Sequence, residues 1–93
     1  MTHDLLCDPA PFEKLIEGVK NFEVRHTRDR IFNVGDELVL HEQTEDRTAK
    51  TGRMFRVKVV YILHGPDYEL PADLCVMALF GGFLILPEKK ENE

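Results

Sequence analysis

The first periodic segment of the chain is helical. Phe12, Leu15, Ile16 and Val19 fall at i, i+3, i+4 and i+7, which makes one apolar stripe. Asp8 stands before it as an acceptor for the unpaired N–H groups of a first turn. Pro9 and Pro11 fit that turn, because their missing donors are not needed there. Gly18 supplies a left-handed stop. These signals predict a short helix over about 8–17, preceded by an extended entry at 3–7, "HDLLC".

After Gly18 the period changes from helical to two. In "KNFEVRH", Phe22 and Val24 point one way while Asn21, Glu23 and Arg25 point the other. Val34-Gly35-Asp36 is a turn signal, followed by a strand through Leu38 and Leu40. The longest strand is predicted over about 53–63, with Phe55, Val57, Val59, Tyr61 and Leu63 on one face. Met54, Arg56, Lys58, Val60 and Ile62 take the other face, polar early and apolar late. "HGPDYELPAD" reads as a loop and "LCVMALF" as an apolar, central strand. The glycine pair of "GGFLILP" allows a bend or hairpin into one more short strand. One short N-terminal helix and five to six strands predict an α+β, mainly β domain with a small curled sheet or pseudo-barrel. A sheet this small would otherwise expose long edges, which favours partial closure. The domain is expected over 1–87, with 88–93 a frayed tail.

Composition narrows the class. At 93 residues, 43% hydrophobic and 31% charged, the chain has the make-up of one folded domain rather than a disordered segment. No apolar run reaches the roughly 18–20 residues of a membrane helix, and the N-terminus lacks a signal-peptide pattern; a cytoplasmic, non-membrane protein is expected. Cys7 and Cys75 match no ligand spacing and are expected as buried free thiols. The formal net charge of −5 opposes nucleic acid as a partner, but the charge is unevenly spread. Nine of the twelve Lys and Arg residues lie between Lys20 and Lys58, and no acidic residue interrupts 47–58. One basic side on an acidic molecule is the picture to test.

No phosphate-binding glycine loop, dinucleotide fingerprint, metal-type Cys/His cluster or nucleophile motif is present, so neither a metal nor another cofactor is expected. The four histidines are scattered, and each is best read as a surface or strand-end residue. His3 stands out slightly, since a first strand beside the helix would bring it near Glu23. The strand after Gly18 carries more information. Glu23 and Arg25 stand about 7 Å apart along one face, with Lys20 at the strand's mouth. A carboxylate acceptor and a planar guanidinium at that distance can bracket a ligand with donors beside an anion, such as a nucleobase and its phosphate. The bland alternative is an exposed ion pair, which contributes only about 0–1 kcal/mol.

The pattern Gly18-x-Lys20-x-x-Glu23-x-Arg25 resembles the signature of the ASCH superfamily, whose members share the fold of the PUA RNA-binding domain. More narrowly, the chain resembles a small bacterial and phage branch catalogued as a domain of unknown function. His3, Leu5, Pro9 and Phe12 match it, then "GVKNFEVR", Asp29-Arg30, "FNVGD", Leu38, Leu40, Glu42, "TGR" at 51–53 and "YIL" at 61–63. "RHTRDRIF" departs from it, being one residue longer and lacking an asparagine, and "GGFLILP" runs past the usual end. The resemblance implies a β-barrel-like core with a cleft beside the first helix, floored by the signature strand. It also implies RNA or modified nucleosides and nucleotides as ligands, with Lys20, Glu23 and Arg25 lining the cleft. One related branch hydrolyses acetylated cytidine with a lysine and a threonine; its lysine corresponds to Lys20, but Glu23 stands where its threonine falls.

Three functions follow as expectations. The leading one is a non-catalytic RNA- or nucleotide-binding module, with Lys20, Glu23, Arg25, Arg30 and Arg53 as binding residues and no catalytic residue. Arg28 and the other basic residues of 47–58 would join them at phosphates. The second is a small amidohydrolase on modified nucleosides, with Lys20 or Glu23 as general base. The third is an interaction or regulatory protein of a phage or mobile element. A monomer is expected, with a dimer through the apolar C-terminal segment as the alternative.

Overall fold

A computed structural model describes residues 1–88 of the chain. Five strands and one helix follow in the order β1 (Thr2–Cys7), α1 (Pro9–Glu17), β2 (Phe22–His26), β3 (Glu37–Gln43), β4 (Lys50–His64) and β5 (Leu74–Ile85), with a 3-10 turn at Asp67–Glu69 before β5. They form one sheet, ordered β1-β3-β4-β5-β2, curled into a half-barrel. Only β1 and β3 pair in parallel; every other neighbour is antiparallel. The α+β, mainly β expectation therefore holds, with five strands. The expected tail includes 89–93, which lie outside the described residues. Among the described residues no helix is long and apolar enough to cross a membrane.

The helix begins and ends where its punctuation predicts, but its cap works differently. Asp8 is extended and makes no side-chain cap bond. Pro11, at the third helical position, removes one of the donors such a cap would serve, and the Asp8 carboxylate instead takes bonds from Arg47 and Gln43. Phe12 and Leu15 are buried, while Val19 is exposed. Gly18, at φ 78°, breaks the helical path, so Val19 leaves the stripe that its spacing assigned to it.

The fully buried centre is made by Phe12, Phe32, Leu38, Leu40, Val59 and Met77. Along β4 the alternation holds through Phe55, Val57 and Val59, then fails. The register with β5 slips between Val59 and Tyr61, leaving Tyr61 exposed and turning Ile62 to pack on the core. A β-bulge inverts every later side chain, so the faces expected for Tyr61 and Ile62 are exchanged. The glycine pair is likewise a bulge and not a hairpin. β5 runs through Gly81 and Gly82 to Ile85, still paired with β4, from Phe80 opposite Lys58 to Phe83 opposite Arg56. A side chain at Gly82 would overlap the Phe55 ring, so the strand needs glycine to lie this close. Cys7 and Cys75 are free and buried.

Candidate functional site

β5 decides which way β2 faces. Cross-strand partners share a face of the sheet, and Glu23 pairs with Met77 while Arg25 pairs with Cys75. Met77 and Cys75 are both fully buried, so the charged side of β2 is turned inward. Glu23 is only 4% exposed, whereas Phe22 and Val24, at 44% and 46%, look out. The strand is apolar outside and charged inside, opposite to a simple surface strand.

The buried carboxylate is held from both sides. Lys20 Nζ donates to Glu23 Oε1 and, at 2.7 Å, to the carbonyl of Phe22. Arg25 Nε donates to Glu23 Oε2 at 2.9 Å, and its Nη2 donates to the carbonyl of Leu6 at 2.8 Å. The left-handed turn at Gly18 makes this possible, since Val19 and Lys20 both donate their backbone N–H to the Lys14 carbonyl and so fix the start of β2. Lys20 also lies 5.0 Å over the Phe22 ring.

These three charges converge on one concave pocket of about 400 Å³ between β1, the start of α1 and β2. Phe22 and Val24 also line it, as do Leu6, Cys7 and Pro11, with Asp8, Gln43 and Arg47 on the far side. Arg47 clamps Asp8 with two bonds of 3.1 and 2.7 Å, and this holds the Asp8 carboxyl below its usual range. Burial pushes the Cys7 thiol up to about 11, so it stays protonated and a poor nucleophile. Among the described residues no group of three His, Cys, Asp or Glu side chains is placed to hold a metal ion.

The other two expected binding residues lie apart from this trio. Arg53 is bound to both oxygens of buried Glu42, at 2.9 Å each, and to Glu13, with its guanidinium 5.1 Å from the Phe12 ring centre. Arg30 lies past the other end of β2, half-buried, and lines two neighbouring cavities. His3 is not near Glu23 either. Its parallel pairing opposite Leu38 carries it to the turn before β3, where Nε2 sits 2.8 Å from Asp36 and the ring packs on Phe32. Gln43 and Asp8 are pocket residues that local pattern did not reveal. They arrive from β3 and the head of α1, and only the sheet order brings them to β2.

Fold and site together define a small curled-sheet domain with a charged pocket between the two edge strands of its half-barrel. Residues 2–79 match the family described as Domain of unknown function (DUF3850), and the chain belongs to it. No curated protein matches the chain.

Proposed function

We propose that the pocket beside α1 binds one nucleotide-like unit, free or within RNA, without chemistry on it. The observation that carries this reading is the buried Glu23 carboxylate, held by Lys20 and Arg25 at the wall of an open cavity. Burying charge is expensive, and a buried ion pair stabilises a fold no better than apolar residues of the same shape. A ligand gives that expense a reason. A carboxylate has about four lone-pair sites, so Glu23 keeps acceptor capacity for base N–H or ribose O–H groups. Lys20 and Arg25 are the cations for a phosphate, Arg47 being shared with Asp8, and the partly exposed Phe22 offers an apolar face for a base. A volume of about 400 Å³ is within the range of small-molecule sites. The resemblance of the Gly18–Arg25 signature to the ASCH superfamily, with its PUA-like RNA-binding fold, points the same way.

The basic stretch 47–58 supports a single-unit ligand more than a long phosphate track. Arg53 is taken up by Glu42 and Glu13, and Arg56 by Glu37 at 2.6 Å. Hydrolysis is less well supported than binding. Lys20 acts as a donor to two acceptors, position 23 has no hydroxyl, and the Cys7 thiol is held protonated.

Calorimetry at low salt against nucleosides, nucleoside monophosphates and short single-stranded RNA tests the proposal. Binding is expected to weaken with salt and to fall at least about tenfold in Lys20→Ala and Glu23→Ala, the loss of one charge-assisted contact. No binding across the panel, or equal binding by folded variants, would overturn it.

A further inference from the structure

A second charged hollow lies at the opposite end of β1. It measures about 890 Å³ and is lined by His3, Thr27, Arg28, Asp29, Arg30 and Asn33, together with Met1 and Ile31. His3 is 5% exposed and Asp36 equally buried, with His3 Nε2 and Asp36 Oδ2 2.8 Å apart. A carboxylate can only accept, so Nε2 carries the proton and the ring orientation is set. Nδ1 has no partner among the described residues, yet no buried side-chain polar atom there is left unsatisfied. Nδ1 therefore keeps some solvent access, and His3 is part of the lining of the hollow. Arg30 lines the same hollow, half-buried and without a hydrogen bond or ion pair among the described residues. With no protein acceptor among the described residues, its guanidinium keeps its donors available for an anion.

We propose that His3 Nδ1 and Arg30 form a binding site for a terminal phosphate group, separate from the pocket at Glu23. A monoester suits both states of the ring. Neutral imidazole accepts the P–OH proton at Nδ1, while imidazolium and Arg30 together match a dianion. A diester has no P–OH to give and only one charge. Asn33 adds an amide and Thr27 a hydroxyl. Arg28 leans on Asp73, at 3.4 Å, and the exposed Asp29 is the opposing carboxylate of the lining.

Isotope-labelled full-length protein titrated by NMR at constant ionic strength provides the test, with methyl phosphate, inorganic phosphate and dimethyl phosphate as probes. Methyl phosphate is expected to shift the His3 ring and Arg30 side-chain signals saturably, and dimethyl phosphate to bind at least about tenfold more weakly. Equal binding of inorganic phosphate assigns the site to the phosphate alone; tighter binding of the ester assigns it to a phosphorylated compound. Arg30→Ala should weaken binding at least about tenfold and Asp29→Asn should tighten it, both without touching the core. Lys20→Ala should leave it unchanged, which separates this site from the first. Non-saturable shifts, unaltered affinity in Arg30→Ala, equal binding of the diester, or loss in Lys20→Ala would each overturn the assignment.

Discussion

Arg25 of β2 donates Nη2 to the carbonyl of Leu6 in β1 at 2.8 Å, joining the two outermost strands of the sheet. The two edges of the half-barrel thus meet through one guanidinium that also holds Glu23. Arg25→Lys keeps the charge but loses the planar fork, which cannot then serve both acceptors. Amide hydrogen exchange should quicken along β1 and β2 and remain unchanged in β4. Uniform protection in the variant would show that the seam does not depend on this residue.

Glu23 is the more sensitive member of the pair. Glu23→Ala leaves Lys20 and Arg25, both largely covered, without their shared acceptor. Full burial of the orphaned charge would cost about 3–5 kcal/mol; with partial solvent access here the loss should be about 1–3 kcal/mol. Urea unfolding measures it. A variant as stable as the parent would mean that the two cations relax freely into water.

Arg53→Met separates stability from binding. Glu42 loses its bidentate partner and keeps only Thr51, at 2.7 Å. Stability should drop by about 1–3 kcal/mol while nucleotide affinity stays within about twofold. A selective loss of affinity instead would return Arg53 to the binding site.

The Asp36 carboxyl should shape acid unfolding. Its hydrogen bond with His3, aided by the backbone N–H of Asn33, lowers its pKa from 3.8 to about 2. A depressed folded-state pKa means stability present above the unfolded value and lost as pH falls through the folded one. The parent should therefore lose stability between about pH 4 and pH 2. Asp36→Asn should start lower and lose less over that window, as followed by denaturant midpoints. Parallel curves for the two would contradict the shift.

At the β5 bulge, Gly82→Ala should cost about 1–3 kcal/mol by overlapping the Phe55 ring. Pairing it with Phe55→Leu should recover part of that loss, giving a coupling term of the size expected for touching residues. Strict additivity would place the strain elsewhere.

Local signals carried much of the architecture because they act over a few residues. Helical spacing from Phe12 to Ile16, the proline entry and the glycine stop located α1, and alternation located β2 and the first half of β4. Local pattern was weakest where an element's environment comes from distant chain. An alternating strand has two faces, and nothing within "NFEVR" says which one meets the core. Met77 and Cys75 settle that from fifty or more positions away, through the register of β2 on β5. The same holds for the bulges after Val59 and at Gly81-Gly82, which depend on how two long strands match.

By itself, then, the chain order of residues determined a small mainly β domain, its one helix, its buried thiols and a charged triplet set just past a glycine turn. Tertiary structure alone decided that Glu23 is buried, that Gln43 and Asp8 line the same pocket, that Arg53 serves Glu42, and that His3 faces Asp36. Spacing along a chain fixes only which residues share a face of one element. Which charges meet is set by sheet order and curvature, and those follow from the whole apolar core being covered at once.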